Sequence, residues 1–473
     1  MIQKTLFASG LVVFTGCTVG PDYVRPEYPV PQSPDDVVDD TMTSLGDLEW
    51  FQAFDDPVLQ DLVRTALEQN YDVRIAAERV IEARARVKIT RAERFPDIRA
   101  GGIYEATKGA ENVSNPLPED VDAQSEVVQL LGDLTWEIDF WGRIARATEA
   151  ARAELLATEF ARRTVIQTLV ADLALAYFDL LELDGEIEIS RRTYVSRQSS
   201  YDLVALRLEQ GVSNKVELYQ AEGSALQAAG IIPDLERRIE QQENLIQLLI
   251  GANPGPVPRG FPLLEQKRHT EVPAGLPSEL LRRRPDVHVA EQNLVAANAR
   301  IGEAMAQLYP AIRLTAVGGI ASQDLTNLFE GDSTTWSITP SIVQPIFNAG
   351  RLRSNVHVTE AQQRQATLAY MQTLQQAFLE VANSLVAREK SAEVRVWKGR
   401  LEEVLREQAE LSQERYLGGV TSYLEVLDSD RDHFSAELDL VRSIRDELFA
   451  FVLLYRSLGG GWQEAEKLAA SGN

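Results

Sequence analysis

Residues 166–187 read IQTLVADLALAYFDLLELDGEI, with apolar side chains at alternating steps of three and four. This spacing is typical of a coiled-coil seam on a long helix. No proline occurs between Gly142 and Gly211. We therefore predict one helix over this interval, on the order of 100 Å long at about 1.5 Å per residue. The seam positions are Ile166, Leu169, Leu173, Ala176, Leu180, Leu183 and Ile187.

The same pattern returns between Gly350 and Gly419, again without a proline. Its seam positions are Met371, Leu374, Phe378, Val381 and Leu385. Shorter matches flank both intervals, which predicts a duplicated unit of helix, strand, loop, strand, long helix, tip and return helix. The matching pairs include Asp72-Val73 with Asp286-Val287, Phe95-Pro96 with Tyr309-Pro310, and Gly142-Arg143 with Gly350-Arg351.

Each copy also contains two strand-like runs between its helices. Residues 128–138, 312–320 and 336–342 alternate apolar with polar side chains, and 98–106 is the least regular run. Strands of about ten residues with one apolar face suit a membrane barrel, although a soluble sheet with one wet face has the same period. A membrane barrel needs about eight strands and no open edge, so four strands would require several copies of the chain.

The N-terminus predicts export and lipid attachment. Residues 1–16 form a short secretory signal, and Phe14-Thr15-Gly16-Cys17 resembles a bacterial lipobox whose thiol is acylated. The alternative is a signal peptide with an incidental cysteine. No aspartate follows Cys17, so the inner-membrane retention signal of such lipoproteins is missing. We find no later run of about 18 apolar residues and therefore expect no transmembrane helix, so a membrane crossing would need a β-barrel.

Composition excludes several classes of function. The formal charge of -24 opposes binding to nucleic acid or anionic lipid, although most acidic proteins are simply soluble. The sequence shows no phosphate loop and no G-x-S-x-G motif. We find no histidine with a ligand partner at metal spacing, and we expect no enzyme activity, no metal and no cofactor beyond the lipid on Cys17. The four histidines are His269, His288, His357 and His433.

Several short motifs, modest individually, occur in a specific order along nearly the whole chain. They are Gly16-Cys17, Gly20-Pro21-Asp22-Tyr23, Arg25-Pro26, Trp141-Gly142-Arg143, PSELLRRRPDV at 277–287, QPIFNAGR at 344–351 and LGGGW at 458–462. In this combination the chain resembles the TolC-like outer membrane factors, specifically the lipoprotein (NodT) branch that serves RND-type efflux pumps.

The resemblance implies a mainly α fold with a small transmembrane β part. It implies a homotrimer with a twelve-stranded β-barrel and a trimeric α-barrel in the periplasm, docked to a periplasmic adaptor protein and an inner-membrane RND pump. The expected segments are a signal peptide at 1–16, an acylated arm at 17–56, a first repeat at 57–250, a linker at 251–277, a second repeat at 278–458 and a C-terminal tail at 459–473.

One position of the repeat has diverged in charge. Asp428 and Arg431 lie three residues apart on one helix face, whereas the first copy has Gln220 and Gly223 there. The resemblance implies a periplasmic gate, with Leu424 as an apolar ring, Asp428 as an acidic ring and Arg431 as its tether. The alternative is an ordinary exposed ion pair.

The two tips form the second candidate site. Glycine permits a tight left-handed turn between helices, which is a sufficient structural reason for both tips. The resemblance adds an adaptor-docking surface at these positions. The tips are Gly211-Val212-Ser213 and Gly419-Val420-Thr421.

Taken together, the sequence predicts a passive outer membrane exit duct for drugs or other small toxic compounds. Two alternatives stay open. One is an outer membrane duct of a type I protein secretion system, against which the lipobox and the 277–287 motif argue. The other is a soluble periplasmic coiled-coil scaffold without a pore.

Overall fold

The structure, a computed structural model, describes residues 18–29, 50–108, 110, 124–267 and 283–461. Two helices of 67 residues dominate these residues, and we name them the first and second long helix. A helix of 35 residues follows each of them, named the first and second return helix. The bounds are Arg143–Glu209 and Arg351–Leu417 for the long helices, and Lys215–Leu249 and Tyr423–Ser457 for the return helices.

Shorter helices precede the strands of each copy. The Pro57–Gln69 helix begins at Asp56, whose carboxylate accepts hydrogen bonds from two backbone N–H groups of the first turn. Three-residue 3-10 helices lie in the connections. The other helices are Trp50–Ala53, Tyr71–Ala92 and Pro285–Ala306, and the 3-10 segments are Leu263–Glu265, Leu325–Asn327 and Gly331–Ser333.

Glycines flank both long helices, as their sequence spacing predicts. Gly142 and Gly350 precede them with φ of 76° and 83°, and Gly211 and Gly419 follow with φ of 72° and 74°. These left-handed conformations favour a residue without a Cβ atom. At the start of the first long helix, the Asp139 carboxylate also accepts from two backbone N–H groups at 3.0 and 2.8 Å.

The four strands form one antiparallel sheet in the order β1-β2-β3-β4. Its central pair, β2 and β3, joins the two copies of the repeat, with Val128 opposite Ser322 and Ile138 opposite Ile312. All four predicted runs lie within observed strands, including the least regular one. The strands are β1 (Asp97–Lys108), β2 (Gln124–Ile138), β3 (Ala311–Ser322) and β4 (Thr334–Val343).

The outer strands of this sheet expose large apolar side chains. Within the residues that the structure describes, β1 and β4 each pair with one strand only. A sheet edge with free backbone groups and apolar side chains invites pairing with another chain. The exposed apolar residues are Ile98, Ile103 and Tyr104 on β1 and Trp336, Ile338, Ile342 and Val343 on β4.

The chain divides into two compact units. The first contains the four strands, the residues before Tyr28 and the adjoining ends of the helices, with a small alanine cluster between the first long helix and the Pro285–Ala306 helix. The second contains the return helices and the largest apolar core. All seven predicted seam positions of the first long helix are buried in this unit. On the second long helix, only Leu374 and Val381 are buried, whereas the other three are partly exposed.

The first long helix corrects one expectation from the sequence. It contains an 18-residue window with a mean hydropathy of 1.5, so by length and composition alone it could cross a membrane. Because 67% of the window is buried inside the chain, the helix resembles the core helix of a folded domain.

Candidate functional site

Each tip is a tight turn closed by the backbone. At the first tip, the Val212 N–H donates to the Arg207 carbonyl at 2.8 Å, and at the second the Val420 N–H donates to the Arg415 carbonyl at 2.9 Å. The glycine before each valine has a positive φ. These bonds satisfy the last carbonyl groups of the long helices, in the manner of a Schellman motif.

The predicted docking residues present apolar side chains at both tips. Val212 and Val420 are 65% and 69% exposed. The hydroxyl groups beside them are occupied, because Ser213 donates to Glu217 at 2.6 Å and Thr421 donates to the Glu425 carboxylate. The tips therefore offer two small apolar patches on rigid turns, and their role in docking stays a prediction.

The three predicted gate residues lie on the exposed face of the second return helix, one turn or more beyond the tip. Arg431 bridges two carboxylates, with Asp428 at 3.2 Å and Asp432 at 3.1 Å. All three of these side chains are about half exposed or more, and Leu424 is 54% exposed. Sequence spacing predicted the pairing of Asp428 with Arg431 and overlooked Asp432. Their role as a gate stays a prediction.

Two residues distant in sequence tie the tips together. The Tyr416 hydroxyl donates to the Glu217 carboxylate at 3.3 Å, and its ring lies 5.2 Å from that of Tyr423. The Arg207 guanidinium lies 4.8 Å from the Tyr416 ring centroid. Burial, with Asp430 and Tyr416 nearby, raises the pKa of Tyr423 to about 12. Sequence reasoning missed this cluster because nothing in a single sequence pairs these positions.

Arg197 of the first long helix fastens the second return helix from its inner side. It is 7% exposed, donates to Asp430 at 2.8 Å and to the Ser224 carbonyl at 3.3 Å, and lies 5.2 Å from the Phe434 ring centroid. A buried guanidinium with these partners holds three helices together. Asp430 therefore faces the interior of the unit, while Asp428 and Arg431 on the same helix face outward.

The residues after Cys17 are bound firmly to their unit. A Cβ atom on Gly142 would lie 2.7 Å from the Thr18 side chain, and the Val19 N–H donates to the Trp141 carbonyl at 3.2 Å. Arg146 donates to Asp22 at 2.8 Å. The arm is thus held at the junction between β2 and the first long helix. Cys17 itself lies outside the described residues.

The motif at 20–26 explains the rest of this attachment. A Cβ atom on Gly20, which has φ of 101°, would lie 2.4 Å from the Cα atom of Gly302, so the two backbones touch. Arg25 donates both N–H groups of one fork to Glu291 at 2.6 and 2.7 Å, and the Tyr23 hydroxyl adds a third bond at 3.2 Å. Such a bidentate pair fixes orientation as well as distance.

The aromatic residues at the strand ends differ between the copies. Trp141 donates to the Pro310 carbonyl at 3.0 Å and stacks on the Tyr309 ring at 4.7 Å. In the second copy, Ile346 and Phe347 are 96% and 90% exposed. Trp141 of the first copy thus has a partner within the chain, whereas Ile346 and Phe347 of the second are left available to lipid or to another chain.

The histidines require a second correction. Among the described residues, Glu402, His433 and Glu437 bring one ligand atom each to within 4.8 Å of one another. The expectation that no histidine has a ligand partner at metal spacing was therefore wrong for His433. His433 and Glu437 are four residues apart on one helix face, a spacing visible in the sequence, whereas Glu402 comes from another helix.

Comparison with known proteins identifies the class of protein to which this architecture belongs. The sequence profile of the outer membrane efflux protein family matches residues 62–252 and 276–460. The chain is 36% identical over 470 residues to the solvent efflux pump outer membrane protein SrpC of Pseudomonas putida, covering 98% of this chain and 99% of SrpC. It is 35% identical over 465 residues to the cation efflux system protein CusC of Escherichia coli, covering 96% and 97%.

Solved structures agree. The open state of the MtrE outer membrane channel of Neisseria gonorrhoeae superimposes with a TM-score of 0.86 at 30% identity, covering 94% of this chain and 99% of MtrE. The shared fold is that of TolC-like channels, with long helical hairpins and a β part. With its duplicated hairpins, its four-stranded sheet and these full-length matches, the chain belongs to the outer membrane efflux protein family and is an outer membrane exit duct for efflux.

Proposed function

We propose that three copies of this chain form a passive duct, anchored in the outer membrane by a lipid on Cys17 and closed by a gate on the second return helix. The incomplete sheet is the observation that carries this proposal. In the described part of the chain, β1 and β4 are unpaired on their outer sides and expose apolar side chains. Pairing β4 of one copy with β1 of the next satisfies both edges, and three copies supply twelve strands, enough for a closed barrel.

The gate follows from symmetry. Around a threefold axis, identical Asp428 side chains would approach one another, and Arg431 at 3.2 Å supplies the cation that offsets their repulsion. Leu424, one turn earlier on the same exposed face, would add an apolar constriction. Arg197 holds the opposite face of this helix, so it positions the gate without belonging to it.

Conductance tests the gate. Asp428→Ala or Arg431→Ala should raise single-channel conductance in a planar bilayer, because an exposed ion pair contributes up to about 1 kcal/mol, roughly a fivefold shift in open population. Gln220→Ala, at the corresponding position of the first copy, is the control and should conduct as wild type does. Unchanged conductance in both gate variants would remove these residues from the gate.

The lipid anchor has an independent test. The arm from Thr18 to Arg25 is held beside Trp141 at the end of β2. This attachment of the residues that follow Cys17 supports an anchor at the N-terminal side of the sheet. Cys17→Ser should abolish incorporation of a labelled fatty acid. Persistent labelling would refute the lipid attachment and leave the duct itself untouched.

The tips would dock a periplasmic adaptor protein. Val212 and Val420 are the exposed apolar side chains on two rigid turns, and such small apolar patches suit contact with a partner helix. Val212→Asp with Val420→Asp should weaken copurification with a periplasmic adaptor protein coexpressed with the chain. Leu226→Asp, equally exposed on the first return helix, is the matched control and should not. Equal retention of the adaptor by the tip variant and the control would contradict docking at the tips.

The cargo would be small toxic compounds delivered by an RND pump of the inner membrane. SrpC is named for solvents and CusC for cations, so relatives of similar identity carry different cargo. We infer that the pump selects the cargo and that this chain conducts it without catalysis. A protein secretion duct would instead require a different pump. A soluble scaffold would instead stay in the soluble fraction when the cells are fractionated.

A further inference from the structure

We propose that Glu402, His433 and Glu437 form a binding site for a divalent transition-metal cation, with Zn²⁺ as the representative ion. This inference does not depend on the proposed gate or duct. The imidazole Nε2 of His433 lies 3.3 Å from an oxygen of Glu402 and 3.8 Å from an oxygen of Glu437. All three ligand atoms lie within 4.8 Å of one another.

The distances suit a tetrahedral ion after a small closure. Zn²⁺ binds histidine nitrogen and carboxylate oxygen at about 2.0–2.2 Å, which places neighbouring ligand atoms about 3.3 Å apart. The His433–Glu402 separation already has this value. One imidazole and two carboxylates form a nitrogen and oxygen donor set, which selects Zn²⁺ and similar divalent ions over soft monovalent ones.

The three side chains come from two neighbouring helices. Glu402 is on the second long helix, and His433 and Glu437 lie one turn apart on the second return helix. They are partly buried, with between 15% and 21% of each side chain exposed. This burial limits rotamer freedom before an ion arrives and so lowers the entropic cost of binding. A bound ion would tie the two helices together.

A cavity lies beside two of the three proposed ligands, whereas His433 lines a different cavity. Glu402 and Glu437 line a cavity of about 490 Å³, together with Asp184, Glu188 and Arg192. Its lining carries more carboxylates than guanidinium groups, which favours entry of a cation. His357 is far more exposed, at 76%, and lies 3.2 Å from the carboxylate of Glu360. It therefore provides a matched two-ligand control.

Arg192 is the competing cation. Its guanidinium bonds to the Glu437 oxygen that also lies nearest His433. A metal ion must take that oxygen from Arg192 or use the second oxygen of Glu437. The alternative is that a protonated His433 simply pairs with the two glutamates, which predicts no affinity for metal ions. Removing Arg192 distinguishes a metal site from a simple ion-pair network. In a metal site it frees a Glu437 oxygen to bind the ion, whereas in an ion-pair network it only removes one of the cations.

Zinc titration of the full-length protein tests the site. After treatment with a chelator, calorimetry in detergent with ZnCl₂ should show one saturable site per chain. His433→Gln should weaken binding by at least about tenfold, as loss of a metal-site residue typically does, and Glu402→Gln should act similarly. His357→Gln should bind as wild type does, and Arg192→Gln should bind more tightly.

Other results would overturn the proposal. They are no saturable binding by the wild-type protein, equal affinity in His433→Gln and wild type, or equal losses in His433→Gln and His357→Gln. The Glu402→Gln variant keeps the test valid if His433→Gln does not fold. Replacement of Zn²⁺ by Co²⁺ adds an optical readout, because nitrogen ligation by His433 changes the cobalt absorption spectrum and a nonspecific surface site does not.

Discussion

The two long helices have the same length and the same type of seam but different surroundings. Both contain 67 residues and both are flanked by glycines with positive φ. The first buries all seven seam positions and also two carboxylates, Glu182 and Glu186. Along the second no charged side chain is buried, and the buried polar groups include the hydroxyl groups of Ser412 and Tyr416. Duplication has therefore preserved the rod and changed what the rod contacts.

The two long helices also differ in the number of large apolar side chains that they expose. The second long helix exposes eleven large ones and the first exposes three. Those of the first are Leu156, Val195 and Leu206; those of the second are Val358, Leu368, Leu379, Val386, Val394, Val396, Trp397, Leu401, Val404, Leu411 and Leu417. Five of the eleven follow coiled-coil steps of three, four, three and seven, and we name them the exposed seam: Val394, Trp397, Leu401, Val404 and Leu411.

The exposed seam indicates that the second long helix requires a partner from outside this chain. Contiguous apolar patches on a folded chain usually mark an interaction site. In the proposed assembly of three copies, a helix of the next copy covers the seam, just as the first long helix is covered within its own chain. The comparison therefore separates contacts that fold one copy from contacts that assemble three.

Charging the exposed seam should have the largest effect. Leu401→Glu with Val404→Glu should abolish assembly, because each buried apolar side chain contributes about 1.5–3 kcal/mol and each buried charge costs more than that gain. Light scattering coupled to size-exclusion chromatography in detergent should show single copies of the variant and, for the wild type, the three copies of the proposed assembly.

Val195→Glu is the matched control. Val195 is 63% exposed on the first long helix and lies outside any exposed seam, so this variant should assemble normally. Normal assembly of the double variant as well would mean that the exposed seam faces solvent. It would contradict the inference that the second long helix, unlike the first, is covered by another copy.

The sequence predicted the elements well and their surroundings poorly. Glycine positions and seam spacing located both long helices, and alternation located all four strands, because these are local properties of the chain. On the second long helix only Leu374 and Val381 of the five seam positions are buried, a difference from the first that the shared spacing does not predict. Periodicity records that a helix has an apolar face, but it contains no information on which chain covers that face.

The candidate site shows the same limit. The ion pair between Asp428 and Arg431 was predictable, because residues three positions apart on a helix share a face. The bonds from Arg197 to Asp430 and from Tyr416 to Glu217 join positions separated by 233 and 199 residues. A single sequence does not reveal such pairs. His433 with Glu437 was within reach of local reasoning, and only the third ligand, Glu402, required the fold.

The buried carboxylates of the first long helix should make stability depend on pH. Burial, with Glu186 nearby, raises the pKa of Glu182 to about 7, although Arg445 lies 3.1 Å away. The pKa of Glu182 is higher in the folded chain than its value of about 4.3 in the unfolded chain. The contribution of protonated Glu182 to folding stability is therefore complete below about pH 4.3 and is lost as pH rises through about 7. The loss amounts to at most about 4 kcal/mol at pH 8. Glu182→Gln should flatten this slope in thermal melts between pH 5 and pH 8.

Glu188→Gln tests whether burial is the cause. Glu188 lies on the same helix and is exposed, so its replacement should leave the pH dependence of the melting temperature as in the wild type. A slope that persists in Glu182→Gln would show that Glu182 is ionised in the folded state and that its arginine partners outweigh its burial.

The smallest expected difference lies at the tips, where the two copies begin their return helices differently. The Asn214 side chain accepts from the N–H groups of Val216 and Glu217 at 2.9 and 3.1 Å. Ser422, at the corresponding position, makes no such capping bond. Loss of an N-cap costs about 1 kcal/mol, which is roughly a fivefold change in local opening. Hydrogen exchange should therefore show faster exchange in the first turn after Asn214→Ala.

Ser422→Ala should leave exchange in its own first turn within a factor of about two, because it removes no capping bond and Ala is a good helix former. The two variants together show what holds the second tip, next to the candidate gate. It is held either by its N-cap or by the buried contacts of Tyr416 and Tyr423. Equal acceleration in both variants would mean that Ser422 caps its helix in solution. In that case the two tips would share one mechanism of stabilisation.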